Sequence, residues 1–76
     1  MNPSIEIEYC VPCGHLGRAI DTQKAILEHF GQQVDGVRLK TGQGGVFTIR
    51  VNDEQIYDNT QKLGLDGIID QIAERV

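Results

Sequence analysis

The chain has 76 residues, 39% of them hydrophobic and 24% charged, with a formal net charge of -4. Such a length and balance describe one ordinary globular domain, 1–76, with a small core, because a chain this short buries only about 60% of the surface its unfolded form exposes. No apolar run is long enough to cross a bilayer. The seven basic residues are scattered and form no stripe for phosphates, so no nucleic-acid partner is expected.

The opening MNPSIEIEY lacks a basic segment followed by an apolar one, so the expected location is cytoplasmic, with no membrane partner. Within it, residues 4–9 alternate Ile5, Ile7 and Tyr9 with Glu6 and Glu8, the period of a strand with one buried and one wet face. From Gly14 to Phe30, the apolar residues Leu16, Ala19, Ile20, Ile26, Leu27 and Phe30 recur at helical spacing, and Gly31 is placed to stop that helix.

Val37, Leu39 and Thr41 then face one way and Arg38 and Lys40 the other, a second strand running into the glycine-rich loop 41–45. Residues 46–51 and 54–58 read as two antiparallel strands joined by a tight turn at Asn52-Asp53. In the tail, Leu65, Ile68, Ile69, Ile72, Ala73 and Val76 fit one face of a helix over 65–76, with Asp66 as a candidate cap. The order is β-α-β-β-β-α. Right-handed crossover makes the first two strands parallel neighbours, and the alternation in the strands places both helices on one face of a mixed sheet, a two-layer α/β sandwich.

Both cysteines, Cys10 and Cys13, lie between the first strand and the first helix as Cys-Val-Pro-Cys. Unpaired N–H groups and the helix dipole favour a thiolate there, and in CxxC motifs the thiol pKa falls from about 8.5 to roughly 3.5–7.5. The second thiol can resolve a mixed disulfide formed by the first. A staple across so short a loop would stabilise little. Pro12 suits the first turn of the helix and fixes the loop between the sulfurs.

Two other readings compete. The cysteines are small apolar fillers in one, and in the other they are half of a metal site. A closed zinc site usually needs four ligands, and the chain has no second CxxC. His15 would be a third ligand, but the spacing assigns it to the first helical turn, facing solvent, and His29 to the surface near the helix C-terminus. The small copper-carrier fold, β-α-β-β-α-β, ends in a strand where this chain has helical period.

Parallel pairing puts the end of the second strand, and with it the glycine loop, on the sheet edge that carries the thiols. Gly44, Gly45 and Val46 are the candidate substrate-binding residues, where the N–H and C=O groups of Gly45 and Val46 can pair with an extended peptide or a thiol tripeptide. The alternative is a plain turn. The prolines are Pro3 and Pro12 alone, so the cis-proline that ordinary thioredoxins and glutaredoxins place opposite their cysteines is missing.

These residues resemble the selenoprotein W-like group, the SelT/SelW/SelH or Rdx family. The resemblance rests on Ile7 to Cys13 (IEYCVPC), Gly42 to Phe47 (GQGGVF), Ile56-Tyr57 and the element order, and covers nearly the whole chain. It implies a thioredoxin-like fold. Many members carry selenocysteine where Cys13 stands, which implies Cys13 as the sulfur reactive toward peroxide or thiol and Cys10 as the resolving one. Thioredoxins assign those roles the other way round. The stretch Asp58 to Gly67 departs from the family in lacking the usual basic residues and phenylalanine-proline.

The expected function is thiol-disulfide exchange or redox regulation through a Cys10–Cys13 dithiol/disulfide pair, with no metal or organic cofactor and with glutathione or a protein as the thiol partner. The alternative is a non-enzymatic binding module, a metal carrier or a redox-sensing adaptor. Arg18 is expected as a solvated surface residue, and Tyr9 beneath the site.

Overall fold

The opening alternation forms β1 (Ser4–Cys10) in the computed structural model, which describes residues 2–61 and 63–76. Met1, in the opening segment, and Lys62, in the stretch Asp58 to Gly67, lie outside the described residues. Helix α1 (Leu16–Phe30) follows, then a short 3-10 turn (Gly31–Gln33), β2 (Gly36–Gly42), β3 (Phe47–Val51), β4 (Glu54–Tyr57) and α2 (Leu65–Ala73).

The sheet order is β2-β1-β3-β4, with β1 parallel to β2 and antiparallel to β3. Ile5, Ile7 and Tyr9 of β1 and Phe47, Ile49 and Val51 of β3 pack with Ala19, Ile26 and Phe30 of α1 and Ile68 and Ile72 of α2 in one core. The opposite face carries Glu6 and Glu8 between Arg38 and Lys40 on one side and Thr48 and Arg50 on the other. It is polar because no helix covers it, the division that the strand alternation requires.

Several expectations are corrected in detail. Helix α1 starts at Leu16 rather than Gly14, because residues 11–14 form a turn. Leu16, Ile20 and Leu27, expected in its buried stripe, are exposed. At 3.6 residues per turn they fall on a line about a quarter turn from Ala19, Ile26 and Phe30, and only the latter line meets the sheet. Thr22 is buried instead, with its hydroxyl donating to the carbonyl of Arg18 at 2.8 Å.

In α2, which ends at Ala73 rather than at 76, Ile68 and Ile72 are buried, Ile69 is partly so, and Leu65 and Ala73 are exposed, as is Val76 beyond its end. That helix is capped by the extended Gly64, and Asp66 lies in its first turn, where a carboxylate complements the dipole without capping. Gly31 ends α1 as expected, with φ 55° and its N–H donating to Leu27. A register shift between β3 and β4 lets Ile56 and Tyr57, neighbours in sequence, both be buried.

Candidate functional site

Strand β1 ends at Cys10, which is fully buried, and a disulfide joins it to Cys13, which is exposed, with Cα atoms 5.3 Å apart. The four residues Val11 to Gly14 form a turn closed by the Gly14 N–H donating to the Val11 carbonyl at 3.1 Å. Pro12 occupies the second position, where its fixed φ is already that of the turn, and Gly14 leaves it at φ 77°. Pro12 therefore builds this turn and not the first turn of the helix.

Two further bonds tie the turn to the sheet. The Val11 N–H donates to the Gly42 carbonyl at 3.1 Å and the His15 N–H to the Cys10 carbonyl at 3.3 Å. His15 is the N-cap of α1, so Cys13 stands just ahead of unpaired helix N–H groups that favour negative charge.

Beneath the turn lies an aromatic floor. Phe47 faces Tyr9 across the β1–β3 ladder and meets Tyr57 edge to face, with centroids 6.4 Å apart. His15 also meets Phe47 edge to face, at 6.2 Å, so it is half-buried rather than turned to solvent. Arg18 spans the floor with its guanidinium carbon 4.0 Å from the Phe47 ring centroid and an N–H donated to the Tyr57 hydroxyl at 2.9 Å. Arg18 is exposed at the surface, as expected, and these two contacts hold its guanidinium in place. Tyr9 is buried under the site, as expected.

The loop between β2 and β3 completes the site. Those strands flank β1, so residues 43–46 cross over the end of the cysteine-bearing strand. Gly44 and Gly45 make this possible with φ 73° and 80°, left-handed values that other residues rarely adopt. The Gly45 carbonyl accepts a hydrogen bond from Asn59 Nδ2 at 2.9 Å, which ties the loop to the segment after β4.

Gly42 is held for a different reason. A Cβ there would lie 2.7 Å from Val46 Cγ1 and 2.9 Å from Glu8 Oε2. Among the described residues, no group of three or more His, Cys, Asp or Glu side chains is arranged to hold a metal ion. Two carboxyls have a clearly displaced titration. Glu54 is held below its ordinary range by hydrogen bonding to Arg75, and Asp58 below its own by hydrogen bonds from Thr60.

The model of the Rdx family matches residues 4–73. The chain belongs to the Rdx family. The match takes in the cysteine turn, the glycine loop and both helices. The fold is shared with a protein from Bordetella parapertussis that is 28% identical, with a TM-score of 0.94 and 100% of each chain covered. It is shared too with a selenoprotein W-related protein from Vibrio cholerae, 24% identical, with a TM-score of 0.93 and 99% of this chain and 98% of that one covered. No curated protein matches the sequence.

Of the residues singled out in the sequence, Cys10 and Cys13 are brought together, and the loop bearing Gly44, Gly45 and Val46 lies over the same strand end. Sequence reading missed the floor of Phe47, Tyr57 and Arg18, since no spacing signal pairs Arg18 with a tyrosine 39 positions away.

Proposed function

We propose that this Rdx-family protein is a thiol-disulfide oxidoreductase or redox regulator of thioredoxin-like fold, working in the cytoplasm through Cys10 and Cys13 with no metal or organic cofactor. The observation that carries the reading is the unequal exposure of two bonded sulfurs, Cys13 open to solvent and Cys10 buried behind it.

The asymmetry supports Cys13 as the attacking sulfur and Cys10 as the resolving one. The Cys13 thiolate attacks one sulfur of a substrate disulfide, that S–S bond breaks, and one substrate thiolate leaves. Cys10, giving up its proton, then attacks the Cys13 sulfur of the mixed disulfide and releases the second substrate thiolate. Two electrons have passed to the substrate and the chain is left as the Cys10–Cys13 disulfide, to be reduced by glutathione or a protein dithiol. The backbone of Gly44, Gly45 and Val46 offers the flanking contact in this reading, with the Gly45 carbonyl already engaged by Asn59.

The test is a titration of the dithiol against glutathione redox buffers, followed by intact mass. A reversible loss of about two mass units on oxidation, abolished by Cys10→Ser and by Cys13→Ser, is expected. Stoichiometric zinc or copper retained by the reduced protein in metal-free buffer would overturn the reading.

A further inference from the structure

Several exposed apolar side chains run from the reactive turn along α1. Val11, between the cysteines, is 51% exposed, and Leu16, Ile20 and Leu27 are 47%, 45% and 40% exposed along one line of α1. That line looks toward β2, because Gln23, next to it on the helix, donates from Nε2 to the Val37 carbonyl of β2 at 2.7 Å.

Strand β2 is an edge strand with β1 as its single neighbour. Backbone groups alternate sides along a strand, so Leu39 and Thr41 turn their N–H and C=O groups to the same outer edge as Val37. Gln23 covers Val37 only, and among the described residues no side chain bonds to the backbone of Leu39 or Thr41. On the face away from the helices the same edge carries Arg38, bonded to Glu6 at 3.0 Å, and Lys40, which has no carboxylate within ion-pair distance among the described residues. A shallow depression lined by Glu8, Val11, Pro12, Thr41, Gly42 and Gln43 joins this edge to the cysteine turn.

We infer that the β2 edge and the apolar line of α1 form a docking strip for an extended segment of a protein substrate that alternates apolar and acidic residues, with its disulfide at the end nearest Cys13. The inference rests on the thiol-exchange reading and names the substrate class of that site. A strand added to β2 lays alternate side chains against Leu39, Leu16 and Ile20 on one face and beside Arg38 and Lys40 on the other. Charge chooses the occupant. A second copy paired β2 to β2 would set Arg38 and Lys40 against their own counterparts, which is unfavourable, whereas acidic residues are attracted there.

The probe is a set of peptides of about ten residues, each ending in a cysteine bonded to thionitrobenzoate, reacted with reduced Cys10→Ser protein. The Cys13 thiolate takes the peptide sulfur, the S–S bond breaks, coloured thionitrobenzoate leaves, and the mixed disulfide persists for want of Cys10. Rates are divided by each variant's rate with a small aromatic disulfide. A Val/Glu alternating peptide is expected to react at least about fivefold faster than its scrambled form or a Val/Lys peptide.

Thr41→Pro, which removes an outward N–H where an edge strand tolerates proline, abolishes that preference, and Lys40→Glu moves it toward the Val/Lys peptide. Equal relative rates for all peptides overturn the strip and leave thiol exchange standing. No reaction even with the small disulfide overturns thiol exchange and the strip with it. A dimer in sedimentation that Thr41→Pro disperses assigns the edge to a second copy, and the proposal fails.

Discussion

Arg18 donates a hydrogen bond to the hydroxyl of Tyr57 at 2.9 Å, joining the first helix to the last strand across 39 positions of sequence. The same guanidinium lies over Phe47, so one side chain couples the residue beneath the cysteine turn to the far edge of the sheet. Tyr57→Phe is expected to lower stability by about 1 kcal/mol, the net contribution of one such bond. Arg18→Ala should cost more, since it also removes the contact with the Phe47 ring. Urea unfolding of both single variants and the double variant checks this, and strict additivity would show that the two residues do not interact.

The glycine loop offers a second check, because its glycines are required for different reasons. Gly42→Ala forces Val46 and Glu8 aside, at a cost of about 1–3 kcal/mol. Gly44→Ala meets no atom within 4 Å, and its cost, about 1 kcal/mol, is that of the left-handed backbone alone. A larger loss for Gly44→Ala than for Gly42→Ala in thermal melts would contradict this account.

The hairpin between β3 and β4 turns on Asn52 and Asp53, both left-handed, with φ 50° and 71°. Asn52 also accepts a hydrogen bond from the Ser4 N–H at 3.0 Å through its side chain. Asp53→Val is therefore expected to destabilise by about 1–2 kcal/mol, and Asp53→Gly to stay within about 0.5 kcal/mol of the parent. Denaturant midpoints for the pair separate backbone conformation from loss of the carboxylate.

Acid should weaken the fold through Asp58 and Glu54. Asp58 is lowered from an ordinary 3.8, chiefly by the Thr60 hydroxyl, and Glu54 from 4.5, chiefly by the Arg75 guanidinium. Depressed carboxyls contribute stability that is fully present above those ordinary values and is lost as pH falls through the lower values of the folded state. Melting temperatures should thus be flat from neutral pH to about 5 and decline below about 4. Asp58→Ala should flatten that decline, and an unchanged acid limb would remove Asp58 from the explanation.

The strand alternation made the sheet and its one-sided helices legible in the sequence, because a period of two states directly which residues are buried. The motif Cys10-Val11-Pro12-Cys13 likewise placed the sulfurs at the end of β1. The helix faces were less legible. Leu16, Ile20 and Leu27 satisfy helical spacing as well as Ala19, Ile26 and Phe30 do, and only the position of the sheet decides between the two lines. The surface position of Arg18 is legible but its contacts are not, because its partners come from β3 and β4 and no local pattern records a contact set by the order of strands. Ile56 and Tyr57 broke the alternation rule through a register shift that hydropathy alone does not reveal.

Cys10 ends the interior strand β1, flanked by β2 and β3 and shielded from solvent. Once the disulfide is reduced, Cys13 meets a bulky alkylating reagent at once, whereas Cys10 meets it only when the end of β1 and its turn open. Labelling of Cys10 in a Cys13→Ser background therefore reports the frequency at which that strand end opens. The buried sulfur is a clock for opening of the strand end, set beside a neighbour that reports chemistry.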